Sequence, residues 1–172
     1  MNKYSLPHRL IHWLTALLFI TLFVLVNLGE NFPKGSLERI FYINWHKTLG
    51  VTVFFLTIIR VIVKISFKTP EKFVISKWQK ILSTAVHHSL YLVTLLMPLT
   101  GYMMSCAAGY GVKWFGVINL PNPFSEKNKE IAHLFHEAHE VGATIVLVLL
   151  GLHLAGVIFH VVKKESVLGR ML

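Results

Sequence analysis

A single cysteine, Cys106, stands in the 172-residue chain. That excludes an intramolecular disulfide and any cysteine-built zinc or iron–sulfur centre, and its apolar neighbours suit a small packed side chain better than a reactive thiol. Charge is equally scarce. Asp, Glu, Lys and Arg make up 15% of the residues, against about 25% in ordinary water-soluble domains. Internal repeats and low-complexity tracts are absent, and the Pro121–Pro123 stretch is a turn-rich loop. No small-x-small cleavage site follows the first apolar run, so that run is expected to be a retained helix, not a cleaved signal peptide.

Long apolar runs take the place of charge. Hydrophobic residues amount to 54% of the chain, with a mean hydropathy of +0.60. A span needs about 20 mostly apolar residues, and four segments qualify: Leu10–Leu28, Ile43–Ile65, Leu82–Cys106 and Glu140–Val162. The reading is all-α, a single four-helix transmembrane bundle over residues 1–172. Pro98 is expected to kink the third helix without ending it. The fourth is expected to begin in water near Lys129. Trp13, Trp45, Trp78 and Trp114 fall at or near span ends, as an interfacial aromatic belt requires.

The charges that remain are divided unequally. The N-terminus, the 60–80 connection and the C-terminus hold eleven of the seventeen basic residues and two of the eight acidic ones. The opposite face balances six against six. Lys and Arg bias sets orientation, so both termini are expected in the cytoplasm. This asymmetry and contact with membrane lipid account for the basic pI, and no nucleic-acid motif accompanies it.

Histidine is costly inside a bilayer, and the chain has ten. His12 lies near the inner end of the first helix and His46 near the outer end of the second. His139 and His153 occupy the outer and inner parts of the fourth. Fourteen residues is almost four turns and about 21 Å of helix, so these two point nearly the same way. Pairing by level gives His46 with His139 and His12 with His153. His133 and His136 point elsewhere and lie in the hydrated lead-in.

Two imidazoles per site are too few for structural zinc, and no intramembrane carboxylate completes a di-iron pattern. A porphyrin supplies four nitrogens and needs two axial ones, so the pairs suit two non-covalent b haems; no C-x-x-C-H is present for thioether attachment. Taken singly, each histidine also suits a hydrogen-bonded bridge between helices. Gly50 and Gly142, a turn from His46 and His139, leave room for a macrocycle. Gly101, Gly151 and Gly156 do so too, though small residues also serve helix packing. Arg9, Lys47 and Arg60 lie near the haem levels and suit propionates, and equally suit topology alone.

Arg9-Leu10-Ile11-His12-Trp13, Trp45-His46 with Gly50, His87 with Tyr91, and His139-Glu140 followed by Gly151-Leu152-His153 resemble the bacterial cytochrome b561 family over nearly the whole chain. The resemblance implies a di-haem protein of the bacterial inner membrane with His12, His46, His139 and His153 as axial ligands. Its small stand-alone members are superoxide:ubiquinone oxidoreductases, and that activity is the leading expectation, with ubiquinone as acceptor. The alternative is a cytochrome b subunit that links quinone to a peripheral dehydrogenase or hydrogenase partner protein. His87 and His160 match histidines of the family and, with Trp78, Lys77, Lys72 and Lys80, are candidates for a quinone or proton site; lysines and Trp78 there equally suit interfacial snorkelling. Lys47, Arg39 and Lys113 are candidates for steering superoxide on the outer face.

Overall fold

The structure is a computed structural model that describes residues 3–68, 70, 76–165 and 167–172. Four long helices dominate it: α1 (Leu6–Glu30), α2 (Leu37–Ser66), α3 (Lys77–Ala107) and α4 (Lys129–Val162). All four are long and apolar enough to cross a membrane. The chain is a multi-pass membrane protein. Each helix extends beyond its predicted apolar run, and three of the four start on a side-chain cap. Pro7 opens α1 at a position where no backbone donor is needed. Ser36 Oγ accepts from the Arg39 amide at the start of α2, and Ser76 and Gln79 form a reciprocal capping box on α3. Asn128 Oδ1 accepts from the Ile131 amide, which starts α4 at Lys129 as expected. Helix α3 runs through Pro98 without ending.

Packing divides the bundle unevenly. Extensive helix contacts run between α3 and α4, between α1 and α2, and to a lesser degree between α2 and α3. Among the described residues α4 has no comparable contact with α1 or α2. Small residues close the tight pairs: a Cβ on Gly29 would stand 3.1 Å from Tyr42 Cβ, and Met97 Sδ fills the place a Cβ on Gly142 would take. Gly142 therefore serves the α3–α4 contact. At Gly50, Gly151 and Gly156 the same position meets open space.

Two elements were not predicted. A two-stranded antiparallel hairpin, β1 (Lys113–Trp114) and β2 (Ile118–Asn119), lies in the α3–α4 connection. Its turn uses positive φ at Phe115 and Gly116, the backbone twist a tight hairpin turn needs. Trp114 Nε1 donates to Thr52 Oγ1 at 3.2 Å. Thr52 is fifteen residues along α2, roughly 22 Å from its start, so Trp114 packs along the middle of α2 and not at a span end. A short helix, α5 (Val167–Met171), returns to the start of the chain. There Trp13 Nε1 donates to the Met171 carbonyl at 2.8 Å.

Candidate functional site

The two tight helix pairs hold α4 apart from α1 and α2, and histidines reach across that gap at two levels. His46 on α2 and His139 on α4 have ring centres 6.3 Å apart. His12 on α1 and His153 on α4 have theirs 6.2 Å apart. An imidazole nitrogen binds a first-row metal at about 2.0–2.1 Å, and adding the half-width of each ring puts two trans imidazole centres roughly 6.3 Å apart. At either spacing the two imidazoles would be able to hold one metal between them. The open space at Gly50 and Gly151, beside the outer and inner pairs, supplies room for a flat group between them.

Tautomer decides which nitrogen of an imidazole can ligate. At the outer pair, His46 Nδ1–H donates to the Leu22 carbonyl at 3.0 Å. His139 Nδ1–H donates to the Met97 carbonyl at 3.1 Å and lies 3.0 Å from Thr100 Oγ1, while the Thr100 hydroxyl itself donates to Met97 at 2.9 Å. A carbonyl only accepts, so each Nδ1 carries the proton and each Nε2 keeps a free lone pair. Such hydrogen bonds also fix ring orientation. Gly101 contributes by omission: a Cβ there would stand 3.0 Å from His139 Cε1, so the ring lies against bare α3 backbone.

The inner pair is wired differently. His12 Nδ1 accepts from Arg60 Nη2 at 2.8 Å. His153 meets a second imidazole on its other side, that of His87 on α3, with ring centres 5.4 Å apart. Ser83 Oγ lies 3.3 Å from His87 Nδ1. Arg60 and Lys64 both stand over the ring of Tyr91, at 5.0 and 4.5 Å from its centre.

The remaining candidates are scattered. Arg9 donates to the Leu172 carbonyl, so its guanidinium is engaged by the C-terminal segment. Lys47 Nζ lies over the Tyr110 ring at 5.4 Å, and Arg39 donates to the Phe32 carbonyl at 3.0 Å. His160 Nδ1 pairs with Glu165 Oε2 at 2.5 Å. Lys77 lines a shallow open cleft of about 600 Å³ with Lys80, Ile81, Thr84, Ala85 and His88; Trp78, His87 and His160 are not among its lining residues. Trp78 is 81% exposed. Lys72 lies outside the described residues. His133 and His136 are exposed and face Glu137 and Glu140 one turn on, as surface histidines do.

Sequence reasoning missed Leu22, Met97 and Thr100, which set the outer rings, and Lys64 and Ser83 at the inner level; it named Gly101 as room for a macrocycle, where the His139 ring lies. The one signal that reached Tyr91 was its spacing from His87; nothing in the pattern tied it to Arg60.

A family model described as prokaryotic cytochrome b561 matches residues 3–172. The chain is 29% identical to cytochrome b561 homolog 1 of Escherichia coli (strain K12), covering 100% of this chain and 98% of that protein. It is 26% identical to the probable superoxide oxidase CybB of Yersinia pestis, with 99% and 96% covered. It is 25% identical to cytochrome b561 homolog 2 of Escherichia coli (strain K12), with 99% and 92% covered.

Proposed function

The chain belongs to the prokaryotic cytochrome b561 family, and from that premise we propose that it oxidises superoxide to dioxygen and passes the electrons through two b haems to ubiquinone. Membership makes it a membrane electron-transfer protein that binds b-type haem. Two haems, the superoxide donor, the quinone acceptor and a bacterial inner-membrane location are our reading. The observation that carries it is the matched 6.3 and 6.2 Å spacing of the two histidine pairs. Support for the donor comes from the relative named a probable superoxide oxidase.

In this reading His46 and His139 hold the outer haem, and His12 and His153 the inner one, each through Nε2. An iron porphyrin so held supplies one-electron chemistry with no open coordination position, which suits outer-sphere transfer. The Leu22 and Met97 carbonyls hold the ring proton on Nδ1 and aim the outer imidazoles. Superoxide gives up one electron and leaves as dioxygen, so two superoxide anions reduce one quinone, which also takes two protons. His87 and the His160–Glu165 pair lie on the inner half and would hold or hand on those protons. Lys47, beside His46, is a fixed positive charge for an approaching anion.

Stopped-flow mixing of superoxide with the oxidised, purified protein tests the proposal. Rapid appearance of a reduced b-type spectrum, with two haems per chain and reoxidation on adding quinone, is the expected result. A protein with haem that superoxide leaves oxidised points instead to the subunit role beside a dehydrogenase or hydrogenase. A colourless, folded preparation removes the haem reading altogether.

A further inference from the structure

A haem b has two propionate carboxylates as well as an iron, and ligation by His12 and His153 says nothing of what receives them. We infer that Arg60 and Lys64, seated together on the face of Tyr91, form the carboxylate anchor of the inner haem, and that Arg60 gives up His12 to serve it. The inference rests on the proposed ligation of the inner haem.

Position is the first argument. Arg60 follows His46 on α2 by fourteen residues, the same interval that separates His139 from His153 on α4. Arg60 therefore repeats the stripe of His46 one level further in. Its 2.8 Å contact with His12 puts the guanidinium beside the inner pair.

Charge is the second. Two cations share one aromatic face at the end of the bundle where α2 finishes. Among the described residues no Asp or Glu forms an ion pair with either. Two like charges gathered on one ring repel each other, and an anion between them relieves that repulsion. The ring supplies part of what solvent would. A pair of carboxylates would supply the rest, and the guanidinium fork matches carboxylate geometry.

Proton placement is the third. A neutral imidazole that gives its Nε2 lone pair to iron carries its proton on Nδ1. Arg60 has only donors. His12 therefore cannot ligate as a neutral imidazole through Nε2 while Arg60 still donates to its Nδ1. Either Arg60 moves to the carboxylates, which lie on the same group that claims Nε2, or His12 ligates with no ring proton.

These two outcomes have opposite signs. Reduction adds negative charge to the haem, and a cation at the carboxylates favours the reduced form. Losing that cation makes reduction harder. If His12 instead carried no ring proton, removing Arg60 would let Nδ1 take one up, and reduction would become easier.

The test is an optical redox titration of the full-length haem protein, with the inner component identified as the one lost in His153→Ala. Arg60→Gln should raise the oxidised-to-reduced ratio of that component about tenfold at fixed potential, a 59 mV fall for one electron, and leave the outer component unmoved. Tyr91→Leu should shift it in the same direction by less, while Tyr91→Phe, which keeps the ring face, should not. An unchanged or raised potential in Arg60→Gln overturns the inference. If that variant does not fold, equal potentials in Tyr91→Leu and Tyr91→Phe overturn it. Wild-type protein with no component sensitive to His153→Ala would instead sink the haem assignment on which the inference stands.

Discussion

Backbone carbonyls do as much at the outer histidine pair as the histidines themselves. Leu22 and Met97 offer acceptors to His46 and His139, and the side chains of those two residues have no part in it. No sequence pattern marks such a role, because every residue carries the same carbonyl. Gly101 is the exception that a substitution can probe. Its missing Cβ leaves the 3.0 Å at which His139 Cε1 lies, and a branched side chain must push the ring off its Met97 acceptor. Gly101→Val should therefore weaken haem retention at the outer site about 10–100-fold, the usual scale for losing a ligand's supporting contact. Haem per chain, measured after extended washing in detergent, should fall toward one while the helical circular dichroism is kept. Loss of both haems together, or of neither, would contradict the placement of Gly101.

At the scale of elements, α4 is the common partner of both sites. It contributes His139 and His153 on one stripe, and it stands off from α1 and α2 so that only side chains cross. The fourteen-residue interval was readable from the sequence, because helical period converts spacing into direction. What faces each histidine was an inference from level, and the ring contacts agree with it. One alanine inserted between Val146 and Leu147 would turn the inner part of α4 by about 100° relative to the outer part. We expect one of the two haem signals to disappear, with the other kept by whichever half of α4 stays in register. An insertion that preserved both would mean that the stripe is not what holds them. The hairpin and α5 escaped the sequence reading for a different reason. Both are too short for periodicity, and each is held by tertiary hydrogen bonds, Trp114 to Thr52 and Trp13 to Met171.

For the whole molecule, we propose that four crossings leave both termini on one side, the cytoplasmic one that the uneven distribution of Lys and Arg predicts. A fluorescent-protein fusion at the C-terminus should fluoresce, and a periplasm-dependent phosphatase fused there should be inactive. The reverse pair of results would invert the assignment and exchange the inner and outer sites. The steering role given to Lys47 would then belong to the wrong face.

Four helices, the start of the fourth near Lys129 and the levels of the paired histidines were all determined by the sequence alone. Apolar length and helical period are local properties that need no partner to be read. Tertiary structure decided which nitrogen of His46 and of His139 is free, which glycines fill with neighbouring atoms and which stay open, and that Arg60, Lys64 and Tyr91 from two helices meet beside His12. Those depend on distances between segments far apart in the chain, set only when α3 closes on α4 and α1 on α2.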